Sequence, residues 1–282
     1  MLDWSNILHL KEIEKKVRMV APEKIKEMRE RPIEEIKYGN SKIIRGEAID
    51  QMRKIPSGSV DLICTDLPYG VTNNKWDFAL PFDEMWEEFY RVTKNNAAIV
   101  LTATEPFASL LRLSSLKYYK YDCIWEKTIA SGQLNVKRQQ LRVHENILVF
   151  YKKLPTYNEQ KTPGTPYSIK RKGEYAENNN YNKQKPSEKE NDGFRHARSV
   201  IKISNPRVKA GHTTQKPVEL MEYILKTYSN ENDTVLDCCM GYGTTGIAAL
   251  NLNRHFIGIE IDDESFKSAK DGINRIYNDD TR

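Results

Sequence analysis

The chain has 282 residues and a formal net charge of +5, a length that holds one large α/β domain with an insertion, or two small domains. Apolar residues make up 39%, enough for a full core, yet no apolar run approaches the roughly 20 residues of a membrane span. Met1-Leu2-Asp3-Trp4 does not begin a basic-then-apolar leader, and Cys64, Cys123, Cys238 and Cys239 show no C-x-x-C spacing, so the expectation is a cytoplasmic protein with reduced core thiols, no metal and no membrane partner.

Residues 1–40 are charge-rich and helix-prone. Ile7, Leu10, Ile13 and Val17 recur at three- and four-residue steps, as on one helix face, and Pro22 and Pro32 divide the segment. A solvated helical arm is the plain reading, with a homodimer contact or a DNA clamp as alternatives. From Ser41 to Tyr151 the texture changes. Strands are predicted at 43–46, 60–65, 97–102, 119–125 and 146–151, and helices at 48–55, 82–92 and 105–113. Short apolar strands separated by amphipathic helices predict a mostly parallel, doubly wound sheet, an α/β Rossmann-like fold.

Residues 152–209 break this rhythm, with Asn178-Asn179-Asn180, scattered Pro and Gly, and few aliphatics. They hold 14 Lys and Arg against 6 Asp and Glu, a net of +8 that leaves −3 for the rest of the chain. Tyr157, Tyr167, Tyr175, Tyr181 and Phe194 are interleaved. A basic, aromatic-studded insertion suits nucleic acid, although a solvated loop has the same composition. The α/β texture then resumes over 210–282, with helices at 217–228, 244–252 and 264–277 and strands at 234–238 and 255–260.

Two strings carry chemistry. Val235-Leu236-Asp237 ends in Met240-Gly241-Tyr242-Gly243, followed by Thr244-Thr245-Gly246 at the start of a helix. Glycines there admit a ligand close to the backbone and to the helix amides. Glu260, at the end of the next strand, has the spacing at which an acid reaches ribose hydroxyls. Gly241, Gly243 and Gly246 also fit the dinucleotide spacing, so this loop alone leaves NAD and S-adenosylmethionine open.

The second string is Asp66-Leu67-Pro68-Tyr69, after the strand Val60–Thr65. Pro68 fixes its own φ and extends Leu67, aiming the Leu67 carbonyl outward beside the Asp66 carboxylate. Two such acceptors match the two hydrogens of a planar amine, and Tyr69 offers a face to a base. The lone pair of an aromatic amine is delocalised and weakly nucleophilic. Acceptors that stabilise the charge growing on nitrogen, and its alignment with a sulfonium methyl, supply what it lacks.

Taken together, the strings resemble those of the β-class DNA amino-methyltransferases. Asp66-Leu67-Pro68-Tyr69 is similar to the D-P-P-Y motif, Asp237 to Gly246 to the D-P-F-x-G-S-G-T loop, and His212-Thr213-Thr214-Gln215-Lys216-Pro217 to H-P-T-Q-K-P. Leu67, Cys239 and Tyr242 depart from the pattern. The stretch Leu141 to Tyr151 and Ser204-Asn205 resemble phage and prophage members. The resemblance spans roughly 41–277 and implies the following. The activity is site-specific transfer of methyl from S-adenosyl-L-methionine to the N6 amino group of a flipped-out adenine in double-stranded DNA, as in restriction-modification. Cytosine-N4 or RNA adenine methylation are the alternatives. A bacterial, phage or prophage source is implied. Residues 41–151 are the catalytic half, 152–209 the target-recognition insertion and 210–282 the cofactor half. Asp66, Leu67, Pro68 and Tyr69 are catalytic. Asp237, Gly241, Gly243, Thr244, Thr245 and Glu260 hold the cofactor, Thr214 and Lys216 approach its methionine end, and Asp50 reaches its adenine. Asn73, Asn74 and Lys75, with Tyr69, face the nucleic acid.

Overall fold

The computed structural model describes residues 22–70, 77–171, 187–205 and 215–280. In chain order its elements are α1 (Pro22–Arg29), β1 (Glu34–Tyr38), β2 (Ser41–Arg45), α2 (Ala48–Met52), β3 (Val60–Thr65), α3 (Phe82–Val92), β4 (Thr93–Ala103), α4 (Phe107–Ser114), β5 (Tyr119–Ser131), a 3-10 turn (Gln133–Asn135) and β6 (Arg142–Phe150). There follow β7 (Thr162–Pro163), β8 (Tyr167–Arg171), β9 (Ser187–Asn191), β10 (Phe194–Arg195), β11 (Val200–Lys202), α5 (Val218–Tyr228), β12 (Thr234–Asp237), α6 (Thr244–Asn251), β13 (His255–Glu260) and α7 (Asp263–Asp280). Two compact units result, one of residues 159–198 and the other of the remainder.

Nine strands of the larger unit form one sheet in the order β1-β2-β13-β12-β3-β4-β6-β5-β11. The pairs from β2 through β13, β12 and β3 to β4 are parallel, as is β5 with β11. The pairs β1/β2, β4/β6 and β5/β6 are antiparallel. The continuous apolar runs explain the layering, because alternate residues of each strand bury on opposite faces. Ile44, Ile63, Ile99, Leu101, Leu148 and Leu236 join one core with Met52, Phe89 and Phe107 from α2, α3 and α4. Ile43, Leu62, Cys64, Val100, Val149 and Val235 join the other with Leu220, Ala248 and Phe266 from α5, α6 and α7.

The chain leaves β3 towards β4 on one side and leaves β12 towards β13 on the other. The carboxyl ends of β3 and β12 therefore flank the point where the winding reverses, the place at which open α/β sheets bind ligands.

The structure departs from the sequence expectations in four places. Residues 34–38, expected within a helical arm, are the edge strand β1, because Gly39, at φ +57°, turns the chain back onto β2 and Tyr38 buries against the sheet. Val200–Lys202, expected within the insertion, is a strand of the main sheet beside β5. The compact unit 159–198 has strands of its own, with β8 on β9 and β7 on β10. Finally, β5 extends to Ser131 and β6 begins at Arg142, well beyond the predicted ends. These extensions are largely polar and only partly buried, so no apolar periodicity marks them, and pairing to each other holds them extended.

Candidate active site

The two strings meet at the sheet edge. β3 and β12 are hydrogen-bonded neighbours with Ile63 opposite Leu236, so Asp66 and Asp237 emerge side by side. Thr65 closes the gap, its Oγ1 donating to Asp237 Oδ1 at 2.6 Å. The same oxygen accepts from the Cys239 amide at 3.1 Å, and the Thr245 hydroxyl also bonds this carboxylate. Burial pushes Asp237 up to about 6 despite these donors. Asp237 is thus the clasp between the halves, and its bonds run to protein groups.

Asp66 sits among three donors. Its Oδ1 accepts from the Tyr69 hydroxyl at 2.7 Å and from the Thr102 hydroxyl of β4. Its Oδ2 accepts from Lys216 Nζ at 2.5 Å. Lys216 Nζ also lies 3.2 Å from Glu145 of β6, and Glu145 lies 3.0 Å from Lys127 of β5. Two carboxylates and two ammonium groups therefore alternate along one buried line, Asp66, Lys216, Glu145, Lys127. Burial alone would lower Lys216, but Asp66, Tyr69 and Glu145 more than reverse this and hold it well above the usual lysine range. Burial would likewise raise Glu145, and Lys216 and Lys127 bring it below the usual carboxylate range. Both groups are thus charged near neutral pH.

The Leu67 side chain is buried in the core under Tyr69, which leaves its backbone as the part able to meet a ligand. Tyr69 stacks one face on Phe107 of α4, with centroids 5.2 Å apart, and the Lys216 ammonium lies 5.8 Å from the ring centroid. Burial, then Asp66, push its phenol well above the usual range, so it remains a donor. The Gly70 amide donates to Asp77 at 2.7 Å, which brings together the two residues that flank 71–76, the stretch holding Asn73, Asn74 and Lys75. Those three residues and Thr214 lie outside the described residues.

The other half forms a cradle. Gly241, at φ +52°, has nothing within 4 Å of where a Cβ would stand, while a Cβ on Gly243, at φ +78°, would meet Ala269 at 2.9 Å. The first glycine opens the turn to a ligand and the second lets α6 pack on α7. Glu260 anchors the turn: its carboxylate accepts from the amides of Gly241, Ile261 and Asp262 at 2.8, 2.9 and 2.8 Å. Burial pushes Glu260 up to about 7. An open glycine turn, a helix N-terminus and an acid at the next strand end fit a nucleoside with a ribose, which suits S-adenosyl-L-methionine.

Some expected ligands are engaged elsewhere. Thr244 accepts from the Gln215 side chain at 2.9 Å, and Thr245 bonds Asp237. These hydroxyls hold the loop, leaving backbone amides for a ligand. Asp50, on α2, pairs with Arg29 at 2.8 Å and Arg53 at 3.2 Å. Lys216 stands on the catalytic string. Thr102, Glu145, Lys127 and Asp77 were not found from the sequence. Asp77 is close in sequence to Gly70, but Thr102 and Glu145 sit far along the chain from Asp66 and Lys216, and the antiparallel placement of β6 beside β4 puts Glu145 and Asp66 on the same lysine. One signal was present: Lys127 and Glu145 are charges close beside the apolar stretches of their strands, 123–125 and 147–150.

A family model described as DNA methylase, N6_N4_Mtase, matches residues 60–271. DNA adenine methyltransferase YhdJ of Escherichia coli (strain K12) is 31% identical over 256 residues, covering 83% of this chain and 83% of that protein. Type II methyltransferase M.HpaI of Haemophilus parainfluenzae is 30% identical, covering 85% and 76%. Among solved structures, the M1.HpyAVI–SAM complex superposes with a TM-score of 0.57 at 26% identity, covering 82% of this chain and 98% of that one.

Proposed function

The chain belongs to the N6/N4 DNA methylase family, and from that premise we propose that it transfers a methyl group to the N6 amino group of adenine at a specific site in DNA. The observation that carries this reading is the setting of Asp66: a carboxylate at the winding reversal, beside the glycine cradle, with one oxygen held by the Lys216 ammonium. S-adenosyl-L-methionine supplies the electrophilic methyl when bound. Gly241, Gly243 and the first amides of α6 receive it, and Glu260 accepts from its ribose.

The Lys216 ammonium occupies the position at Asp66 Oδ2 that an N–H of the target amine takes in the reactive complex. A cation there opposes the positive charge growing on nitrogen, so it has to withdraw. Glu145, 3.2 Å away, receives it, leaving Asp66 and the Leu67 carbonyl to accept the two amine hydrogens. Tyr69 and Thr102 keep the other Asp66 oxygen fixed, so the carboxylate does not turn. Tyr69, packed on Phe107, provides a rigid wall for the flipped base. Asn73, Asn74 and Lys75 lie in the loop between Gly70 and Asp77 and face the DNA in this reading. The unit 159–198 contributes to site recognition, supported by exposed Tyr167 and Phe194, with Arg195 stacked 4.6 Å over Tyr167. Adenine is chosen over cytosine on the Asp at the first catalytic position and on the similarity to YhdJ, a DNA adenine methyltransferase.

The test is mass spectrometry of nucleosides from cells expressing the protein. N6-methyladenine is expected in the DNA with the wild-type chain and not with Asp66→Ala. N4-methylcytosine in DNA, or N6-methyladenine confined to RNA, would overturn the reading.

A further inference from the structure

The β5–β6 hairpin lies outside the stretch with the strongest basic charge, yet it projects from the catalytic edge. Glu145 of β6 pairs in register with Trp125 of β5, and the ladder resumes beyond a bulge at Ser131 opposite Arg142. That last rung stands about 10 Å past Glu145, at roughly 3.3 Å per residue. β6 runs antiparallel to β4, whose Thr102 bonds Asp66. Residues before Glu145 therefore extend beyond the edge on the side where Asp66 lies.

The base of this hairpin is fixed. Lys127 and Glu145 pair across it, and the Asn205 side chain accepts from the Ile129 amide at 2.8 Å and donates to the Ile129 carbonyl at 3.1 Å. The tip is presented outward. Gly132 turns it at φ +94°, and beyond it Leu134 is 101% exposed and Val136 57%. From Thr128 to His144 the chain carries Lys137, Arg138 and Arg142 and no Asp or Glu, and all three cations are exposed. By contrast the unit 159–198 has nine Lys and Arg against six acids, the same net charge spread over more than twice the length. A lone exposed leucine is ordinary. A fully exposed leucine on an anchored hairpin that carries three exposed cations and no acid, and that extends past the sheet edge where Asp66 lies, has the makeup of a duplex wedge, in which apolar tips enter base steps and cations hold the phosphates.

We propose that the 128–144 hairpin is a DNA-binding element that inserts Leu134 into the duplex and fills the space vacated by the flipped target adenine. Lys137, Arg138 and Arg142 hold the flanking phosphates. The inference rests on the methyltransferase reading above and adds the element that keeps the base out of the stack. It also couples DNA engagement to Asp66, because the hairpin base carries Glu145, the acceptor for Lys216.

The test uses an oligonucleotide duplex bearing the site mapped by methylome sequencing, with the target adenine either paired or mispaired. Leu134→Ala is expected to slow methylation of the paired duplex by about tenfold or more, and to approach the wild-type rate on the mispaired one, where the base is already loose. With 2-aminopurine in place of the target adenine, the fluorescence rise on binding is expected to shrink in the variant. Cofactor binding by calorimetry is expected to be unchanged. Joint replacement of Lys137 and Arg138 by Ala should lower the slope of log affinity against log salt by about 2. A Leu134→Ala protein that methylates the paired duplex at the wild-type rate, or loses rate equally on both duplexes, overturns the wedge. Failure of the underlying reading looks different: the wild-type chain then leaves no N6-methyladenine in either duplex, and the wedge falls with it.

Discussion

Asp66 and Glu260 stand at the ends of neighbouring parts of one sheet, and what holds them is opposite in kind. Asp66 faces a buried ammonium and two hydroxyls. Glu260 faces three backbone amides and no cation among the described residues, and burial pushes it up to about 7. Asp237 is held, like Glu260, without a cation among its bonded partners, by two hydroxyls and an amide, and is raised to about 6. The difference follows from the two tasks. In the reaction proposed above, the acid at the reacting nitrogen must accept from the amine while positive charge grows beside it, and the Lys216 ammonium is the group that has to step aside. The acids at the cradle shape a loop, and fixed backbone donors do this without a second charge.

The largest expected effect separates the two ends outright. Asp66→Ala removes the acceptor from the amine and should reduce kcat by at least about 10³-fold. Cofactor affinity should remain within about twofold, since Asp66 makes no contact with the cradle in this account. Radiolabelled methyl transfer and calorimetry measure the two quantities. A proportionate loss of cofactor affinity would merge the two ends into one site and break the distinction.

Glu145→Gln sharpens the comparison from the catalytic side. It leaves Lys216 with Asp66 as its remaining carboxylate partner and strands it near Lys127. The expected result is a kcat roughly tenfold lower, equivalent to about 1.4 kcal/mol, with KM for DNA and cofactor affinity little changed. Glu145→Asp should restore part of the rate. A variant that merely weakened the fold would lower the melting temperature without this split between kcat and KM, and without rescue by Asp. That split would mark Glu145 as a positioning residue, acting through Lys216.

Much of this frame was legible in the sequence because it rests on local patterns. Val60–Thr65 and Thr234–Asp237 are buried on both faces and read as continuous apolar runs. Gly241 and Gly243 take positive φ, and the spacing from the glycine loop to Glu260 follows from one helix and one strand. What was not legible depends on tertiary neighbours. Glu145 is in the string His144-Glu145-Asn146, polar residues at the head of an apolar strand, and nothing local says that Lys216 meets it. Thr244 and Thr245 look like ligands because they follow the glycines, yet their hydroxyls complete the clasp to Gln215 and Asp237. Residues 128–144 were unmarked for a third reason: a strand pair free of the core carries no hydrophobic period.

The smallest effect, and the finest probe of the cradle, is its response to pH. Glu260 has a folded value of about 7 against an ordinary 4.5, and Asp237 about 6 against 3.8. Both are raised, so the folded state binds more protons than the unfolded one between each pair of values. Stability from these groups is therefore fully present below about pH 4 and declines as pH rises through 6 and 7. If Glu260 accepts from the cofactor's ribose, as proposed, cofactor binding has the opposite sign, because hydroxyls donate best to an ionised carboxylate. Between pH 8 and pH 6 the dissociation constant should rise about tenfold, the factor for one proton taken up around pH 7. Glu260→Gln should flatten that dependence, at the cost of weaker binding at pH 8. Asp66→Ala should leave it intact, since Asp66 belongs to the other end. Calorimetric titrations at pH 6, 7 and 8 on the three proteins measure this, and a pH dependence lost in Asp66→Ala but kept in Glu260→Gln would reverse the assignment of the two acids.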